Sequence, residues 1–239
     1  MAEKRKIYTS FHDISPREYM YFPKGTIEVS KPGKFSRVEI QHLIISISIL
    51  TIAFALVLSE NNLFYGLIQG FKFDKLPGYI GLSFLGIASA FFVHEMSHKF
   101  MAQRYGLWAE YRMFPKGLQF ALLLGLLTPF VFAAPGAVMF MGGAKYHETG
   151  KIAVAGPLIN IIIAAITFPL FLMFIETTLG ALFGFICLIN AFLGTFNLLP
   201  FGPLDGTKII RWNATVWVIL LIFSILLLTQ ILTKFTFSL

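Results

Sequence analysis

The sequence predicts an all-α polytopic membrane protein of five to six transmembrane helices, with a small extended or β element between the second and third core helices. Two observations carry this. Hydrophobic residues make up 56% of the 239 positions and charged residues 13%, with a mean hydropathy of +0.75. A soluble domain has about 25% charged residues, so this chain cannot cover a globule with polar surface. The apolar residues are also gathered into runs long enough to cross a bilayer, separated by polar stretches rich in Pro and Gly. A soluble enzyme and a disordered chain are excluded.

The net charge of +7, from 19 Lys+Arg against 12 Asp+Glu, does not point to nucleic acid. Its basic residues are scattered between apolar segments and concentrated before residue 38, as at a cytoplasmic membrane face. The single Cys187 lies in an apolar run, so no disulfide framework exists. The first residues are polar and lack the apolar core of a cleavable signal peptide.

In chain order, residues 1–38 read as an extramembrane arm with Pro16, Pro23 and Pro32 and strand-like pieces such as Thr26–Val29. Residues 39–213 form the membrane-embedded core, and 214–239 a C-terminal transmembrane helix. Leu43–Ser59 is the first span, about 25 Å long at 1.5 Å per residue. After a polar connector, Tyr79–Ala102 is the second. Ile152–Ile175, Leu179–Leu199 and Val216–Leu232 follow. Leu118–Ala134 is long enough to cross but is broken by Pro129, with Pro135 following; it reads as a span, a re-entrant hairpin or an interfacial helix. The Gly-rich Ala137–Gly143 behind it reads as extended. Lys/Arg placement puts the N-terminus on the cytoplasmic side, together with the loops after spans two and four.

Three polar islands interrupt the apolar runs. The second span contains His94-Glu95-x-x-His98. Four residues at 100° each bring the two imidazoles to one face, one turn apart, where they can meet one ion. Glu95 stands beside them off the ligand axis, the place for a general base acting on metal-activated water. A catalytic zinc site needs a third protein ligand. The candidates are His12, His42, His147, Glu176 and Asp205. Asp205 follows Asn197-Leu-Leu-Pro200-Phe-Gly202-Pro203-Leu and precedes Gly206, a stretch that cannot continue a helix. Spans two and four run in the same direction, so His98 and Asp205 fall at the same membrane end. The third island, Gly156-Pro157-x-x-Asn160, reads as opening the third span. Its Asn160, like Asn190, suits either an interhelical hydrogen bond or a catalytic role.

With these three segments together, the chain resembles the site-2 protease family of intramembrane zinc metalloproteases. The resemblance runs from the first span to Arg211 and rests on His94-Glu95-x-x-His98, Gly156-Pro157-x-x-Asn160 and Asn197-x-x-Pro200-x-x-x-Leu204-Asp205-Gly206. It implies one Zn²⁺ ion ligated by His94, His98 and Asp205, with Glu95 as catalytic acid/base. Asn197 would hold the substrate backbone or developing oxyanion, with Asn160 a second candidate. It further implies a multi-pass protein of the cell membrane with its site toward the cytoplasm, cutting transmembrane protein substrates within the bilayer in regulated intramembrane proteolysis. A substrate unwound from its helix would pair with the extended segment around 136–143. Against the family pattern, Leu118–Ala134 reads as an insertion. Two rivals are weighed: a gluzincin-type prenyl-protein endopeptidase, whose third ligand would be a Glu (Glu110, Glu148 and Glu176 are those available), and a non-proteolytic metal-binding membrane protein.

Overall fold

The computed structural model describes residues 33–236, so His12 and the strand-like Thr26–Val29 lie outside the described residues. Helix α1 (Arg37–Leu58) starts at Ser36, whose side chain accepts the Glu39 N–H and caps the first turn. Helix α2 (Leu63–Gln69) is capped by Asn62 and exposes Leu63, Phe64, Leu67 and Ile68, the profile of an interfacial helix. The second span is composite: α3 (Leu76–Ile87), a π-turn (Ala88–Phe92) and α4 (Val93–Arg104). Strand β1 (Trp108–Met113), helix α5 (Pro115–Leu127) and strand β2 (Gly136–Met141) follow. The remaining helices are α6 (Tyr146–Met173), α7 (Thr178–Asn197), α8 (Asp205–Trp212) and α9 (Ala214–Thr236).

Among the described residues, five helical segments are long and apolar enough to cross a membrane. The ambiguous stretch is not one of them. Helix α5 has 13 residues, about 20 Å against a hydrocarbon core of about 30 Å. Thr128 ends it in extended geometry ahead of Pro129, and residues 128–135 return without regular structure. The neck of this excursion is closed by the Phe114 N–H donating to the Pro135 carbonyl at 2.8 Å. It is therefore the connection of a β-hairpin, running down along α1 and back. Gly125 makes the descent possible, since a Cβ there would meet the Ala53 backbone.

The two strands pair antiparallel with Tyr111 opposite Val138. The extended element foreseen at 137–143 thus acquires a partner strand that its own sequence pattern did not announce. Helix α6 also begins earlier than expected, at Tyr146, because the Glu148 carboxylate reaches back to accept the Lys145 N–H at 2.9 Å and steadies the first turn. Gly156 and Pro157 consequently lie inside the helix and do not open it.

A buried charge pair ties these pieces together. Lys99 of α4 donates to Glu39 of α1, both fully buried, and also to the Lys34 carbonyl at 3.2 Å. The other oxygen of Glu39 accepts the Tyr111 N–H of β1 at 3.0 Å. Deeper along α1, Ser46 donates to the Tyr111 hydroxyl, which donates to the Pro135 carbonyl, each at 2.9 Å. Burial pushes this phenol above its ordinary range, so it stays a donor. Replacing Lys99 by Met leaves Glu39 as a buried charge without its cation. We expect a loss of roughly 3–5 kcal/mol, read as a lowered unfolding midpoint of the purified protein in detergent.

Candidate metal centre

The π-turn adds a residue to the helical repeat within the second span, and such turns are common at functional sites. Beyond it, α4 turns His94, Glu95 and His98 toward α6 and β2. All three are buried, and the imidazole rings meet edge to face with centroids 4.6 Å apart. Asp205 arrives from the other end of the core sequence. After α7 stops at Asn197, Gly202 takes a positive φ of 60°, and Asp205 becomes the first residue of α8. Gly206 lets α8 approach the end of α7, because a Cβ there would collide with the Leu198 and Leu199 carbonyls.

The three side chains converge. His98 Nε2 lies 3.0 Å from His94 Nε2 and 2.9 Å from Asp205 Oδ2, and His94 Nε2 is 3.5 Å from the same oxygen. Donors bound at about 2.0–2.1 Å in a tetrahedron stand about 3.3 Å apart, so the triangle has the size of a zinc face. Two imidazole nitrogens and one carboxylate oxygen are also a suitable donor set. Among the described residues this is the one group of three or more His, Cys, Asp or Glu side chains placed to hold a metal.

Each candidate ligand is oriented from behind. His94 Nδ1 donates to Asn160 Oδ1 at 2.5 Å, and His98 Nδ1 donates to the Ile152 carbonyl at 2.8 Å. Both Nε2 atoms are thereby left as acceptors facing the cluster. Lys208, one turn along α8, donates to Asp205 Oδ1 at 3.0 Å and leaves Oδ2 toward the imidazoles. Burial alone would raise the Asp205 carboxyl. When His98 also carries a proton on Nε2, its charge and hydrogen bond, with the His94 hydrogen bond and the Lys208 charge, outweigh burial and hold the carboxyl well below the usual range. Gly156 of α6 sits directly against the imidazoles, with no room for a Cβ beside either ring.

Glu95 does not face the same helix. Its Oε2 accepts the Val138 N–H of β2 at 2.9 Å. Tyr111 and Val138 are a pair whose N–H groups both point out of the two-stranded sheet, one to Glu39 and the other to Glu95. In front of the cluster is a cavity of about 380 Å³, walled by Leu50, Phe91, Val131, Phe192 and Phe196 and bordered by β2. Asn197 lines it, with one amide hydrogen donated to the Leu193 carbonyl at 3.1 Å. Asn160 does not line it, being fully buried behind His94.

The other candidate ligands are elsewhere. His42 accepts weakly from the Met113 N–H, His147 is exposed beside Glu148, and Glu176 is exposed in the turn before α7. Glu110 pairs with Arg112 and Ser36, while Glu148 caps α6. No Glu after His98 reaches the cluster, which removes the ligand that a gluzincin requires. Lys208 and Val138 were missed in the sequence. Spacing signals Lys208, three residues after Asp205 on a helix, but nothing local signals the Val138 amide.

Two proteins of Methanocaldococcus jannaschii are similar to this chain. One, named "Putative zinc metalloprotease MJ0611", is 40% identical over 142 residues, covering 58% of this chain and 73% of that protein. The chain belongs to this zinc metalloprotease family. The second, named "Zinc metalloprotease MJ0392", is 30% identical over 121 residues, half of this chain and 30% of that longer protein. No family model and no solved structure matches. For a zinc metalloprotease, the convergence of two imidazoles and a carboxylate supplies a donor set that could hold the ion.

Gly156 offers a sharp test of this packing. Gly156→Ala is expected to lower the zinc content of the purified protein substantially, because a methyl group would displace both rings. Gly194→Ala on α7, whose Cβ would meet its neighbours at 3.3–3.5 Å, is expected to retain it. Metal analysis by mass spectrometry reads both.

Proposed function

We propose that this zinc metalloprotease is an intramembrane protease of the site-2 type. It would hydrolyse peptide bonds within or near transmembrane segments of membrane protein substrates. In this reading it is a multi-pass protein of the cell membrane, with its N-terminus and its site toward the cytoplasm, and it uses one zinc ion. The observation that carries the reading is the position of the cluster. His94, Glu95 and His98 lie inside an apolar span and face a largely apolar cavity. His98 is six residues before the end of α4, about 9 Å along the axis, a depth that water can reach from one side. Arg37, Arg104, Lys151 and Arg211 lie at the same end of the bundle, which supports a cytoplasmic placement.

His94, His98 and Asp205 would hold the ion, which supplies Lewis acidity for polarising a scissile carbonyl and activating water. Glu95 takes a proton from the attacking water and returns it to the leaving amine. Its Oε2 is steadied by Val138, and its other oxygen is available for the proton. Asn197 lines the cavity and has a second amide hydrogen to offer a developing oxyanion. Asn160, with both ends of its amide committed behind His94, supports the ligand instead.

A helical substrate shields its amides, so it must unwind before cleavage. The outer edge of β2 faces the cavity, and no third strand pairs with it among the described residues. Gly136 and Phe140 present their backbone groups along this edge, in register to receive an extended peptide. Glu95→Gln is expected to keep wild-type zinc content while cleavage of a transmembrane reporter substrate falls by about 10²–10⁴-fold. A metal-replete Glu95→Gln protein cleaving at the wild-type rate contradicts the assignment.

A further inference from the structure

Asn190 of α7 is a fully buried amide that the proposed chemistry leaves unused, and it is one step removed from the metal cluster. Its Nδ2 donates to the Ile186 carbonyl at 2.9 Å and to Ser89 Oγ at 3.1 Å. Its Oδ1 accepts from Asn160 Nδ2 at 2.9 Å, and the same Nδ2 donates to the Ala90 carbonyl at 3.1 Å. Asn160 Oδ1 then accepts from His94 Nδ1. The chain of bonds runs from α7 through α6 to α4 and returns twice to the π-turn, at Ser89 and Ala90.

A side-chain amide can face a neighbour with either its acceptor or its donor, and the surrounding network decides which. Here the choice is forced at both residues. The Ile186 carbonyl can only accept, so Asn190 must turn Nδ2 to it and Oδ1 to Asn160. The Ala90 carbonyl can also only accept, so Asn160 must turn Nδ2 that way, where Asn190 Oδ1 receives its second hydrogen. Only Oδ1 remains for His94. An acceptor at Nδ1 requires the ring proton on Nδ1 and leaves Nε2 bare. Had Asn160 been flipped, its donor would face Nδ1, the proton would move to Nε2, and His94 could not ligate through that atom.

We propose that Asn160 and Asn190 form a tautomer-setting relay: Asn160 holds His94 with Nε2 free for the metal, and Asn190 fixes the direction of Asn160. They are positioning residues, since neither reaches the cavity. The relay goes beyond the proteolytic reading and depends only on His94 being a ligand.

The test uses the full chain in detergent with zinc as the probe, in competition with a chelating indicator. Asn160→Leu is expected to weaken zinc binding 10- to 100-fold. Asn190→Leu removes one of the two acceptors that orient Asn160 and is expected to weaken it several-fold. Wild-type zinc affinity in both variants, with binding lost in His94→Ala, overturns the relay alone. Undiminished affinity in His94→Ala overturns the ligand assignment and the relay with it. Nitrogen-15 histidine NMR of the zinc-loaded wild type needs no variant in the relay to fold. The His94 signal, identified by its loss in His94→Ala, should show Nε2 metallated and a slowly exchanging proton on Nδ1, and that exchange should quicken in Asn190→Leu. Coordination through Nδ1 in the wild type overturns the proposal.

Discussion

Inside a bilayer a polar atom has no water to turn to, and each one must be satisfied by protein. Helix α4 breaks the apolar rule more than any other segment, with His94, Glu95, His98 and Lys99 all buried within two turns. Their partners come from three other elements: Asn160 and Ile152 of α6 for His94 and His98, Val138 of β2 for Glu95, and Glu39 of α1 for Lys99. The requirement that costs most to violate is therefore the one that assembles the core. The metal helix cannot be buried unless α1, the hairpin and α6 close around it in one arrangement.

The β-hairpin shows how this constraint reaches toward function. Its two strands hang between two carboxylates, Glu39 on the outer edge of β1 and Glu95 on the outer edge of β2. A shift of one residue in the pairing would turn either the Tyr111 or the Val138 amide inward and leave one of the two carboxylates without its donor. Register, and with it the distance from β2 to the metal cluster, is set by side chains belonging to two transmembrane helices. The long connection through α5 continues the same wall. Its return limb closes against α7 through the edge-to-face contact of Phe132 with Phe196, centroids 5.6 Å apart.

What was legible in the sequence follows from how local each signal is. Spacing alone put His94 and His98 on one helical face, and Pro200, Gly202, Pro203 and Gly206 announced that Asp205 would leave the helix. Hydropathy located the five spans, with ends misplaced by several residues where a charged side chain such as Glu148 caps a helix beyond its apolar run. It could not settle Leu118–Ala134, because an apolar helix of 13 residues and an extended apolar return have the composition of one span. The π-turn has no composition of its own. The Lys99–Glu39 pair joins residues 60 positions apart, and the role of Asn160 depends on what Ala90 and Asn190 present to it. Such facts belong to the packed molecule and leave no trace in a window of sequence.

The proposed ligation of one zinc ion by His94, His98 and Asp205 can be tested directly by zinc K-edge X-ray absorption on the purified chain, wild type and Asp205→Ala. The proposed ligand set predicts two imidazoles and a carboxylate oxygen at about 2.0–2.1 Å, with the carboxylate contribution gone from the variant. A first shell that is identical in the two proteins, or one holding a single imidazole, would show that the triangle of donors seen here is not where the metal binds.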